Sequence, residues 1–326
     1  KTAIIALVAP LLITGGTGAP ANAVERSTSD EGYINPGPNS ASTYYEAGMY
    51  IIDAGAHTGT STQSINQGLK PYGLVYALVK AKIPVQWIIK SDKTGFNTAA
   101  GNDQPDISNY DCDGPGTAYA SKNYVSGAFV ISKEFAAAAK PIIDSWKSSN
   151  AGLTVDGPCT NTPTTPFPVF ATIKSWPRAV LDTQNGSVAV AYYNNAGIAQ
   201  GSTTDPNNPP AYRLASPTQL TPCDDMYVMP HADPTYATHS NLINFVKKGG
   251  DLYASCHAVS VLENIVYPAG HESATAKAMN FLTTQGTVLY SAHSSQGSPA
   301  YTLGSAGTTV GGVTPGDPVA QFLGKP

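Results

Sequence analysis

Cys256, His257 and His293 are the side chains of this chain whose types and positions could do covalent chemistry. A thiol beside an imidazole passes its proton to the ring, and the resulting thiolate attacks a carbonyl carbon. Cys256 closes the run Gly249-Gly250-Asp251-Leu252-Tyr253-Ala254-Ser255, and His257-Ala258 follows it. That run reads as a strand ending in a cysteine at a tight turn into a helix. Ala254 and Ala258, two places either side of the cysteine, are as small as a sharp elbow demands. The amides of the helix beyond such a turn lower a thiol's pKa. His293, after the last predicted strand, is the first candidate base. His257 is adjacent to the cysteine and points away from it, so it is the weaker base, and His271-Glu272 is a third option. The competing reading makes Cys256 a small buried apolar residue at a tight turn.

Parallel α/β sheets place their sites at the carboxyl ends of the strands. The predicted strands end at Asp53, Asp92, His231, Cys256-His257 and His293. His231, Asp233 and His239 form a weak metal-ligand candidate, since their spacing matches no specific signature and Asp233 is better read as a helix cap. No metal is assigned on that basis. Asp111-Cys112-Asp113-Gly114 has calcium-loop character but lacks the remaining ligands, and reads as a turn. No Gly-rich phosphate loop follows a predicted strand, so no cofactor is implied.

The elements that must position these residues alternate between strand and helix. Met49–Ile52 is a strand ending at Asp53. Pro71 opens a helix with Tyr72, Val75, Tyr76 and Val79 on one face. Val85–Ile89 is a continuous apolar run of the buried-strand type. Tyr124–Ile131 reads as a strand. Ser132 caps the next helix, whose Phe135, Ala138, Ala139, Ile142, Ile143 and Trp146 face inward, with a kink or break at Pro141. Ser187–Tyr193 and Met226–Met229 are further strands. Asp233 caps a helix that starts at Pro234, buries Leu242, Ile243, Phe245 and Val246, and stops at Gly249-Gly250. A helix from Val259, another over 274–283 and a strand over 287–290 complete the pattern. The expected fold is α/β and flavodoxin-like: a doubly wound, mostly parallel sheet with long loop insertions at 92–123, 150–168 and 199–222.

Composition sets the compartment. Only 12% of the 326 residues are charged and the net charge is -4, so no basic surface recommends nucleic acid as a partner. Lys1, an apolar run from Ala3 to Ile13, and Ala21-Asn22-Ala23 form a signal-peptide-like segment over 1–23. A linker over 24–43, the α/β domain over 44–293 and an irregular Gly/Ser/Thr-rich tail over 294–326 follow. The missing initiator Met and the abrupt end suggest a piece of a longer protein. No run suits a transmembrane helix. Four cysteines in an exported chain suggest disulfides, and Cys112 with Cys159, both in polar loops, is the expected pair. Cys223 precedes a strand and Cys256 follows one. Parallel strands of roughly 17 Å would hold these two thiols far beyond the ~7 Å Cα limit of a disulfide.

Met229-Pro230 before a helix, Gly249-Gly250 at its stop and Cys256-His257-Ala258 at the elbow carry a family resemblance. Over residues 226–265 the chain resembles the class I glutamine-amidotransferase-like superfamily, in particular its PfpI/DJ-1-like branch. The resemblance implies that Cys256 takes the nucleophile position and that His293 matches the base of the amidotransferases. His231-Ala232 stands where the family carries the Gly-Gly of its oxyanion hole. No acidic residue near the first strand matches the one that the branch sets against its cysteine.

Three functions follow. The favoured one is an exported cell-surface or matrix-assembly protein, homo-oligomeric or polymeric, without amidotransferase activity. The second is a secreted cysteine hydrolase, acting on an amide, peptide or ester through Cys256. The third is an extracellular ligand-binding module using exposed Tyr and Trp.

Overall fold

The computed structural model describes residues 41–54, 68–90, 105–113, 121–201, 210–232, 234–255 and 258. In chain order the first half carries β1 (Ala41–Thr43), β2 (Tyr50–Ile52), α1 (Lys70–Lys80), β3 (Val85–Ile88), β4 (Ile107–Tyr110), β5 (Lys122–Tyr124), β6 (Phe129–Ile131), α2 (Lys133–Ser149), β7 (Val155–Asp156) and β8 (Phe167–Ile173). The second half carries β9 (Ala179–Leu181), α3 (Ser187–Ala196), β10 (Tyr212–Leu214), a 3-10 turn (Pro217–Gln219), β11 (Met226–Met229), α4 (Tyr236–His239), α5 (Leu242–Lys247) and β12 (Asp251–Ala254).

The first half builds a six-stranded sheet in the order β1-β8-β3-β6-β2-β7. Each of its pairings is antiparallel. Side chains alternate across it, as the strand period of two requires. Ile52, Trp87, Phe129 and Ile131 meet Tyr72, Leu74, Val75 and Leu78 of α1 on one face. Ile51, Ile88, Val130 and Val169 face the other way, toward Ile107, Tyr110 and Tyr124 of the β4–β5 ribbon. The sheet is thus buried on both faces, which is why its strands read as unbroken apolar runs. Trp87 is fully buried, and its indole N–H donates to the Gly127 carbonyl at 3.0 Å.

The second half is a four-stranded sheet in the order β10-β9-β11-β12, and all its pairings are parallel. Leu181 and Val228 pack against Ala189 and Tyr193 of α3. Val180, Tyr227 and Met229 pack on the opposite face against Leu242 of α5. The expected mostly parallel sheet therefore exists only in this half; the larger sheet is antiparallel. A five-residue link, 174–178, joins the two sheets, and α1 lies against α3 where Gly73 meets the Ala196 carbonyl.

Several expected elements differ. Ser187–Tyr193 is not a strand but the first seven residues of α3, with Ala189, Tyr193 and Ala196 buried at helical spacing and Gly197 ending it at φ +82°. The strand expected over Tyr124–Ile131 is broken into β5 and β6, because Ser126 (φ +63°) and Gly127 (φ +77°) turn the chain between them. Pro141 does not break α2, which runs through it on its exposed side, where Ala138 also lies. The helix expected from Pro234 starts at Tyr236 with Thr235 as its cap residue, and is divided into α4 and α5. The last three residues of the expected linker form β1 on the sheet edge.

The expected insertions also carry structure. β4, the start of β5, β7, the start of β8 and β10 lie within them. The helices expected beyond residue 258 and the strand over 287–290 lie outside the described residues, as do the signal-peptide-like segment and the tail.

Candidate functional site

β9, β11 and β12 run parallel, so their carboxyl ends share one edge. β9 delivers Asp182 there, β11 delivers Pro230 and His231, and β12 delivers Ser255 immediately before Cys256. The Ser255 hydroxyl donates to the Pro230 carbonyl at 2.7 Å, and the Ser255 amide to Met229 at 3.1 Å, which locks the end of β12 to β11. Ala258 is fully buried with Met229, Ala232 and Leu242. The small residue two places after the cysteine is thus part of the packed core. Cys256, His257, Asp233, Asp92, His271, Glu272 and His293 lie outside the described residues.

A buried polar cluster occupies the same edge. The Asp182 carboxylate, 2% exposed, accepts the Tyr227 hydroxyl at 2.9 Å and faces Nε2 of His239 at 3.0 Å. Its other oxygen accepts the Gln184 amide at 2.7 Å. Nδ1 of His239 lies 3.0 Å from the Thr235 amide, which can only donate, so the network places the ring proton on Nε2. The Thr235 carbonyl is the longer contact, at 3.3 Å. Burial pushes the Asp182 carboxyl up, but the hydrogen bonds from His239, Gln184 and Tyr227 outweigh it and hold the group below the usual aspartate value. Burial, reinforced by the Asp182 charge, pushes the Tyr227 phenol up, so it stays a neutral donor.

His239, one of the three residues weighed as metal ligands, therefore has both ring nitrogens engaged. The second, His231, is half-buried, and its carbonyl accepts the Asn185 side chain at 2.8 Å. The Asp111 carboxylate accepts the Asp113 amide at 3.1 Å, closing a turn in the place where calcium was weighed.

A second cluster lies on the antiparallel sheet. Asp53, fully buried at the end of β2, takes Lys122 Nζ at 2.9 Å. The same Nζ lies 2.8 Å from Asp156, which also accepts the Tyr124 hydroxyl at 2.7 Å. Close by, Asp106 accepts the amides of Lys90 and Gly127, both at 2.8 Å. The expected disulfide Cys112–Cys159 is present and buried beside this cluster. Cys223 is an exposed free thiol.

Sequence reasoning named Asp53 as a strand end but missed Asp182, Tyr227, Lys122, Tyr124 and Asp156. One signal was available: Pro177 and Asp182 bracket the short apolar run of β9. The pairings themselves join residues 32 to 69 positions apart and have no local signature.

No family model, no curated protein and no solved structure matches this chain. What the geometry itself provides is two internally satisfied polar clusters and a parallel-sheet edge that ends at Ser255. The tryptophans add no open aromatic platform. Trp87 is in the core, Trp146 stands over Gly73 and Gly197, and Trp176 packs edge-on against Tyr76 at 4.3 Å. Among the described residues, no helix is long and apolar enough to cross a membrane.

Proposed function

We propose that this chain is an exported surface or assembly protein, built on a glutamine-amidotransferase-like α/β core and acting through its structure rather than through catalysis. The observation that carries the reading is the commitment of His239. The buried imidazole at the parallel strand ends holds Asp182 with one nitrogen and the Thr235 backbone with the other. With both nitrogens engaged, this imidazole serves the fold, while the candidate bases His257, His271 and His293 lie outside the described residues. The buried Cys112–Cys159 disulfide suits an oxidising compartment.

A specific observation favours the hydrolase as the second reading. β11 and β12 pair in parallel register from Met226–Asp251 to Met229–Ala254. β12 thus ends, two residues before Cys256 in sequence, at the sheet edge where α/β enzymes hold their nucleophiles.

Iodoacetamide labelling of native protein between about pH 5 and 9, read at Cys256 by mass spectrometry, separates the two. The structural reading expects no labelling until the protein is unfolded. Rapid labelling with an apparent pKa well below ~8.5 would overturn it in favour of the hydrolase. Cys223, exposed, is the internal positive control.

A further inference from the structure

The cluster around Lys122 has an unusual composition for a structural ion pair. One amine sits between two carboxylates, 2.9 Å from Asp53 and 2.8 Å from Asp156. Its ammonium also stands over the Tyr124 ring, 4.7 Å from the centroid. β2 and β7 explain the juxtaposition. Ile51 faces Asp156 across the antiparallel pair, and the Asp53 amide bonds to Thr154. Residues 51 and 53 share one face of β2, so both carboxylates project toward the ribbon that carries Lys122.

We infer that Lys122 and Asp53 are the partners of an intramolecular isopeptide bond, with Asp156 as the proton relay. Nζ lies 2.9 Å from Oδ2 of Asp53, one bond from the Cγ it must attack, and near-attack geometry for such a step needs about 3–3.5 Å between reacting atoms. Asp53 is the acyl partner because it is fully shielded from water, whereas Asp156 is not. Asp156 is the relay because it keeps partial solvent contact and is oriented by the Tyr124 hydroxyl. Burial lowers the proton affinity of Lys122, but the two carboxylates outweigh it and hold its pKa above the usual lysine value. At rest Lys122 is therefore an ammonium, and the reaction must begin with one of its protons passing within the ion pair to Asp53.

The balance is complete without an oxidant or any other co-reactant. Lys122 Nζ, now a neutral amine, attacks Cγ of the protonated Asp53 carboxyl and forms the N–C bond. Asp156 takes a proton from the nitrogen and delivers it to the departing hydroxyl, which leaves as water as the C–O bond breaks. An ammonium and two carboxylates become an amide, one carboxylate and one water, and the net charge is unchanged.

The bond would complete a clamp. The disulfide fastens the chain beyond β4 to the loop beyond β7, and the amide would fasten β5 to β2. Both strands of the two-stranded ribbon would then be covalently tied down at the same end, where Tyr110 pairs with Lys122. This inference is independent of what Cys256 does.

Peptide mapping of the reduced, alkylated full chain tests it. The expected result is a branched peptide joining Lys122 to Asp53 that has lost one water, with trypsin blocked at Lys122. Asp53→Asn should give the same branch with loss of ammonia instead, because an amide carbon then releases its nitrogen. Asp156→Ala should leave the branch unformed in protein that retains its Cys112–Cys159 disulfide. Trypsin cleavage at Lys122, with the Asp53 peptide unmodified in folded wild-type protein, would overturn the inference. A branch on Asp156 would overturn the assigned roles.

Discussion

Nε2 of His239 lies 3.0 Å from Oδ2 of Asp182, with both side chains almost wholly buried and 57 residues apart in sequence. The contact ties α4 to the end of β9. Without the imidazole, Asp182 keeps the Tyr227 and Gln184 donors but loses its third partner. His239→Ala should therefore cost about 1.5–3 kcal/mol, the range for a hydrogen bond to a charged group. Urea unfolding monitored by circular dichroism reads it directly. A change within about 0.5 kcal/mol, the size of an ordinary surface substitution, would remove the cluster's structural role.

The same cluster sets an acid limit. The folded Asp182 carboxyl lies below its ordinary value, as does Asp224, where burial is outweighed by Arg213 and by the Thr221 amide and hydroxyl. A depressed folded pKa stabilises the protein above the unfolded value of about 3.9, and that stability is lost as the pH falls through the folded value. Stability should therefore decline as the pH drops below about 4. Asp182→Asn should flatten that slope while lowering stability at neutral pH. Unfolding midpoints measured from pH 7 down to 3 test this, and an unchanged slope in the variant would contradict it.

The disulfide closes a loop between positions 47 apart, Cys112 and Cys159. Cys112→Ser with Cys159→Ser should lower stability by about 2–4 kcal/mol in the chain-entropy account. The loss should fall first on the β4–β5 ribbon, whose Tyr110 and Tyr124 pack beside the bridge. Hydrogen exchange of residues 105–113 and 121–124 would locate it. Uniform deprotection of the whole chain would refute that local assignment.

What the sequence conveys well here is what a few adjacent residues decide. The α1 face, the Gly249 stop at φ +88°, β11, β12 and the polar-loop disulfide were all legible. Strand direction was not. A strand buried on both faces reads as an apolar run whether its neighbours are parallel or antiparallel, so β2, β3 and β6 suggested a parallel sheet. Val188, Ala189, Val190 and Ala191 alternate in size and imitate a strand. Only the burial of Ala189, Tyr193 and Ala196 reveals the helical period. The candidate site divided in the same way. Asp53 ends a strand and could be named, whereas Lys122 acquires its meaning from two carboxylates on other strands.

The junction between the two sheets rests on the absence of one side chain. A Cβ on Gly73 would stand 1.8 Å from the Ala196 carbonyl oxygen and 2.6 Å from Trp146 Cη2. The carbonyl belongs to backbone and cannot swing aside, so Gly73→Ala must push α1 away from α3. Overpacking of this kind costs about 1–3 kcal/mol. Gly249 provides the control. A Cβ there would meet nothing within 4 Å, but the residue sits at φ +88°, so Gly249→Ala should cost only the backbone strain, about 1–2 kcal/mol. The two variants differ in kind. Gly73→Ala should expose the half-buried Trp146 and Trp176 at the junction and shift tryptophan emission to longer wavelength in the native state, whereas Gly249→Ala should leave the spectrum unchanged. If both spectra match the wild type, the two sheets are not held together through Gly73.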